Sequence, residues 1–166
     1  MTIILGIDPG LQHTGWGVIS ANGNQLSFVA CGTIHSKAKN DMAQRLVELH
    51  DGIKQAIALY RPQEAAVEET FVNKNNISSL KLGQARGAIL LSLALEGLSV
   101  AEYSTNLVKK SVVGAGHADK QQVAMMVKTL LPASNATGAD ASDALAVAIC
   151  HAHQRSFNQL AKKVSA

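Results

Sequence analysis

Residues 2–8, TIILGID, are apolar at every position between the first and the last. Side chains alternate between the two faces of a strand, so a run that is apolar throughout belongs to a central strand covered on both sides. The run ends in Asp8, and Pro9-Gly10 then breaks the strand. Residues 1–36 contain no other carboxylate and no Lys or Arg at all. A single acid therefore sits at the end of the most buried strand with no counter-ion near it in sequence.

The following pattern builds around that strand. Residues 14–20 read as a second strand with Trp16 and Val18 on one face, and Asn22-Gly23 is a hairpin turn signal. Residues 25–35 read as the return strand, with Leu26, Phe28, Ala30 and Ile34 expected on one face. Asp41 is a candidate N-cap for a helix carrying Met42, Leu46, Leu49, Ile53, Ile57 and Tyr60 at helical spacing, stopped by Pro62. Residues 64–69 read as a short strand, 76–95 as a long helix, 98–103 as a strand and 105–112 as a short helix. Asp119 with Gln122 predicts a capping box, and a last helix is expected from Ala139 to about Arg155. The order predicts an α/β fold with a mixed five-stranded sheet, three antiparallel strands leading into parallel ones.

At 166 residues the chain is expected to form one domain over 1–156, with a flexible basic tail over 157–166. Its 47% hydrophobic and 16% charged content excludes a disordered chain. Cys31 and Cys150 lie far apart with no CxxC partner, which argues against a disulfide scaffold or zinc ribbon. Residues 3–7 are too short a run for a secretion signal, and no stretch suits a membrane span, so a cytoplasmic location is expected. Lys plus Arg exceed Asp plus Glu by only 15 to 12, a weak hint of an anionic partner.

Four acids carry the chemical argument. Asp8 and Glu68 lie at or near the carboxyl ends of strands, where ligands gather in open α/β sheets. Asp140 and Asp143 open the last helix at i, i+3 spacing and share a face. Each has an ordinary reading too: Asp-Pro-Gly is a common turn, and an acid in the first turn of a helix complements its dipole. Together they point to a hard cation, because clustered carboxylates repel one another and all-oxygen ligands select Mg²⁺ or Mn²⁺ over zinc. Two such ions ~3.5–4 Å apart can clamp a phosphodiester during hydrolysis.

The segments GIDPG and TGWGV (within Gly6 to Val18), AVEETFVNKN (Ala66 to Asn75), LKLGQARG (Leu80 to Gly87), VVGAGHADK (Val112 to Lys120) and ADASDALAVAI (Ala139 to Ile149) resemble the RuvC family of bacterial Holliday-junction resolvases. The likeness runs in order from residue 2 to about 155. It implies a ribonuclease-H-like fold and a homodimeric, Mg²⁺-dependent endonuclease that makes paired, ligatable nicks in four-way DNA junctions during recombination and repair. It also implies RuvA and RuvB, a branch-migration complex, as partners. The family's catalytic, metal-holding acids carry over to Asp8, Glu68, Asp140 and Asp143.

Phe71, in a polar loop with Lys74, could stack on an unpaired base or simply anchor the loop; the resemblance implies a role at the junction centre. Lys81, Arg86, Lys109, Lys110 and Lys120 are candidate DNA contacts, and the resemblance places Lys109 and Lys120 near the scissile phosphates. Ser79, Gly83 and Gly87 form a small-residue stripe that either packs on the chain's own sheet or, as the resemblance implies, on a second copy. His151 and His153, two apart on a helix, should point away from each other. The alternatives are a non-catalytic junction-binding module, which retention of all four acids disfavours, and an ATPase of the actin–hexokinase type, for which the chain is too short.

Overall fold

The computed structural model describes residues 1–69, 76–136 and 138–164, with side chains through residue 155. The elements are β1 (Thr2–Asp8), β2 (His13–Asn22), β3 (Gln25–His35), α1 (Met42–Tyr60), β4 (Glu64–Glu68), α2 (Asn76–Leu95), β5 (Ser99–Tyr103), α3 (Thr105–Val113), α4 (Lys120–Leu130) and α5 (Ala139–Val164). They form one five-stranded sheet in the order β3-β2-β1-β4-β5. β1 is the middle strand, antiparallel to β2 and parallel to β4. That placement is what its apolar run on both faces requires.

Two cores cover the sheet. On one face, Leu5, Ile7, Val18, Ala65 and Val67 meet Ile53 and Ile57 of α1 and Ile89 and Leu93 of α2. On the other, Ile4, Ile19 and Ala66 meet α3, α4 and α5 through Val108, Val123, Val127, Leu145 and Ile149. Each fully buried aliphatic side chain contributes about 1.5–3 kcal/mol of burial. Among the described residues no helix is long and apolar enough to cross a membrane.

Local signals set the helix ends. The Asp41 carboxylate accepts the Gln44 N–H at 2.8 Å, and α1 stops where Arg61 turns left-handed (φ 48°) before Pro62. At the start of α4 the capping box is complete: Gln122 N donates to Asp119 Oδ1 at 2.8 Å, and Asp119 N donates to Gln122 Oε1 at 2.9 Å.

Two expectations are corrected. Leu26 and Phe28 pack on the α5 side of the sheet, whereas Ile34 packs on the α1 side. The register slips between Val18 and Ile19, where Val18 pairs with Ala30 and Ile19 with Phe28. Val29 is thus an extra residue, a β-bulge that reverses the facing of the rest of β3. Helix α5 also runs past residue 155 to Val164, because no Gly or Pro lies in that stretch to stop it.

Candidate active site

The parallel register Ile7↔Val67 brings the ends of β1 and β4 level, so Asp8 and Glu68 leave the sheet side by side. Asp8 also pairs with Gly15 across the antiparallel ladder. Gly15 lies directly under the backbone of Asp140, the second residue of α5. The strand order and the seat of one helix thus deliver all four acids to one end of the sheet. The turn after Asp8 is held by Thr14, whose buried hydroxyl donates to the Gly10 carbonyl at 2.6 Å.

Asp8, Glu68 and Asp143 line a cleft of about 380 Å³, together with Thr105, Lys109 and Lys120. Burial raises the Asp8 carboxyl from its usual range to about 8, helped by the charges of Glu68, Asp143 and Asp140 and opposed by Lys120. Burial also raises Glu68, against hydrogen bonds from Thr105 and Asp8 and the charge of Lys120; Asp143 adds to the rise. Lys120 Nζ lies 3.2 Å from Asp143 Oδ2, and that carboxylate raises the lysine in turn.

Carboxylates forced together and partly out of water favour a cation of higher charge density than a single lysine. The donors are all oxygen, which suits a hard divalent ion. Among the described residues no three acidic, His or Cys side chains close into a ready-made cage. A magnesium-class ion does not need one, since it binds through one or two carboxylates and keeps sites for water and phosphate. The acids therefore fit such a group.

The family model for crossover junction endodeoxyribonuclease RuvC matches residues 4–151. The protein of that name from Methylocella silvestris is 61% identical, over 98% of this chain and 92% of its own length. This chain belongs to the RuvC family. The relative from Rhodopseudomonas palustris strain TIE-1 is 56% identical over 98% of this chain and 94% of its own. A structure of Thermus thermophilus RuvC in complex with a Holliday junction substrate superposes with a TM-score of 0.89 at 29% identity, covering 95% of this chain and 97% of that one. The yeast mitochondrial resolvase Ydc2 shares the fold at 12% identity and a TM-score of 0.68, with 94% and 82% coverage. The sheet and its helices are thus the ribonuclease-H-like arrangement that the RuvC resemblance implies.

Within this RuvC frame the candidate DNA contacts divide. Lys109 and Lys120 line the cleft, and Leu82 brings the start of α2, with exposed Lys81 beside it, to the same rim. Lys110 is exposed in the last turn of α3. Arg86 forms an ion pair with Glu102 of β5. Phe71 and Lys74 lie outside the described residues. His151 and His153 have separate partners: His151 bonds Tyr103 and Glu64 at 2.8 Å each, and His153 Nδ1 donates to the Ser111 carbonyl at 3.1 Å. Cys150 is buried and donates to Ser111 Oγ.

Thr105 was not expected in the site. It opens α3 directly after β5, the neighbour of the strand carrying Glu68, and its hydroxyl bonds that carboxylate. Only the strand order could have pointed to it.

Proposed function

We propose that this chain is a structure-selective endodeoxyribonuclease that resolves four-way DNA junctions by metal-dependent phosphodiester hydrolysis. The observation that carries this reading is the cleft itself, where Asp8, Glu68 and Asp143 converge, where burial and then the neighbouring acids hold the Asp8 carboxyl up at about 8, and where Lys109 and Lys120 stand at the rim. The names of its relatives and the junction-bound Thermus structure support the substrate.

Asp8, Glu68, Asp140 and Asp143 would hold two Mg²⁺ ions, with Mn²⁺ able to replace them. When bound, these would polarise the scissile phosphate and ease removal of a proton from the attacking water. The chain's own residues do the rest. Thr105 orients Glu68, and Lys109 and Lys120 hold the phosphate charge against the cleft. Water adds to phosphorus and the bond to the 3′ oxygen breaks, leaving 5′-phosphate and 3′-hydroxyl ends that a ligase can rejoin. With four acids assigned to metal, eight of the 12 remain against 15 basic residues, a surface suited to a phosphate backbone. Arg86 would have to leave Glu102 to join those contacts.

A homodimer fits the reading, because paired nicks in a near-two-fold junction need two cleavage sites. A Cβ added to Gly83 or Gly87 of α2 would meet nothing within 4 Å, and Val47 and Leu91 are exposed beside them. The small-residue stripe thus faces outward, where a second copy could pack. Assembly with RuvA and RuvB in recombination and repair, and a cytoplasmic location, belong to the same proposal. The test is cleavage of an end-labelled four-way junction in Mg²⁺. Paired nicks with the parent chain and none with Asp8→Asn are expected. Binding in Ca²⁺ with no cleavage by the parent in Mg²⁺ or Mn²⁺ would leave a junction-binding module instead.

A further inference from the structure

The sheet end that carries Asp8 also carries a histidine pair that the nuclease chemistry does not use. His13 opens β2, His35 closes β3, and the two are register partners across the ladder. Both are exposed. Their rings are inclined at 83° with centroids 4.9 Å apart, and their Nδ1 atoms are 2.8 Å apart. The flanking backbone is held in place. Thr14, beside His13, is buried and bonded to Gly10. Ser36, beside His35, donates its N–H to the Gln12 carbonyl at 3.1 Å, bonds the Leu11 carbonyl through its hydroxyl, and accepts from Arg45 Nε at 2.9 Å.

As neutral rings, one Nδ1 carries the proton and the other accepts it. The 2.8 Å contact is a hydrogen bond between the two Nδ1 atoms, so moving its proton to the opposite nitrogen of the same ring frees both Nδ1 lone pairs, and a turn of either ring about its Cβ–Cγ bond lets both reach one ion. Imidazole nitrogens bind divalent transition ions at ~2.0–2.1 Å. Two of them in adjacent corners of a square-planar or tetragonal shell stand ~2.9 Å apart, and at the tetrahedral angle ~3.3 Å. The hydrogen bond already holds the two nitrogens 2.8 Å apart, so the first arrangement asks for the smaller movement.

We propose that His13 and His35 form a second metal site, a two-nitrogen chelate for a tetragonal transition ion of the Cu²⁺ or Ni²⁺ class, with water completing the shell. Among the described residues no third ligating side chain joins them, so the site is open to solvent. Its nitrogen donors separate it chemically from the all-oxygen cleft, which selects hard ions.

The test is a titration of the full chain with Cu²⁺, followed by calorimetry and electron paramagnetic resonance. It needs no nuclease activity, so its outcome is independent of the function proposed above. One ion per chain at this site, with two nitrogens in its equatorial plane, is expected. His13→Asn and His35→Asn should each weaken binding roughly 100-fold, the loss expected when a two-armed binder keeps one arm, while His117→Asn, at an exposed histidine in the loop between α3 and α4, leaves it unchanged. Both variants should keep the parent's circular dichroism, which separates loss of the site from loss of the fold. A double variant that binds Cu²⁺ as tightly as the parent, or a spectrum showing a single nitrogen, would overturn the proposal.

Discussion

A methyl group placed on Gly15 would stand 2.0 Å from the carbonyl oxygen of Asp140. The same holds along the helix: a methyl on Gly6 would meet the Ala144 carbonyl at 2.3 Å, and one on Gly17 the Leu145 side chain at 2.7 Å. Helix α5 therefore lies with its backbone almost on β1 and β2. That contact carries Asp140 to Asp8. Gly15→Ala should displace the start of α5 at a cost of about 1–3 kcal/mol, and possible relief through side-chain motion is absent because the obstacle is backbone. Melting should fall by about 2–4 °C per kcal/mol, and junction cleavage should fall further than lost stability explains. Unchanged melting and cleavage would show that α5 is seated some other way.

The raised Asp8 carboxyl makes metal-free stability depend on pH. Between the ordinary 3.8 and about 8 the folded state keeps a proton that the unfolded chain releases. That stabilisation is complete below the unfolded value and is lost as pH rises through the folded one. In chelator, the melting advantage of Asp8→Asn over the parent should grow from pH 5 to pH 8.5. A difference that stays constant with pH would mean that Asp8 is not held protonated.

The bond between Lys120 and Asp143 predicts opposing effects of one substitution. Lys120→Met removes the lysine that neutralises Asp143 and, in the proposed function, the cation that holds the phosphate. The Mg²⁺ concentration for half-maximal cleavage should fall, while the maximal rate drops about 100-fold, the scale of losing one charged donor in an active site. A metal titration at saturating junction separates the two effects. If the half-maximal Mg²⁺ concentration does not fall, or the maximal rate does not drop, the lysine has only one of these roles.

A polar chain on the α5 face gives a stability prediction. The Tyr103 hydroxyl bonds His151 Nδ1, His151 Nε2 bonds Glu64 Oε2, and Arg155 donates to Glu64 Oε1 at 2.9 Å. His151 is 8% exposed, so His151→Leu leaves the tyrosine and glutamate partners short of a hydrogen bond in a nearly dry site. A loss of about 1–3 kcal/mol in urea unfolding is expected, with a smaller loss for His151→Gln. Equal losses for the two variants would show that packing, not hydrogen bonding, is what His151 supplies.

Features that depend on neighbours in sequence were readable before the structure. The capping box at Asp119 and Gln122, the stop at Pro62 and the two-sided apolar run of β1 all act within a few residues. The acids were readable because strand ends and helix starts can be located locally, and the resemblance then tied them to one site. Features that need the partner element were not readable. The bulge at Val29 shows only when β2 lies beside β3, and Thr105 meets Glu68 only once β5 lies beside β4. The His13–His35 pair likewise depends on how the β2–β3 ladder aligns two residues far apart in the chain.

The order in which the acids occur along the chain has a bearing on biosynthesis. Asp8 leaves the ribosome early, at the end of a strand whose parallel neighbour, β4, begins only at Glu64. Asp140 and Asp143 arrive with α5, after every other element. A nascent fragment can carry the first acid, and later the second, without the helix that brings in the other two. If the cleft is the cutting site proposed here, a growing chain cannot cut DNA, and it becomes competent only once α5 has been translated and laid onto the glycines of β1 and β2.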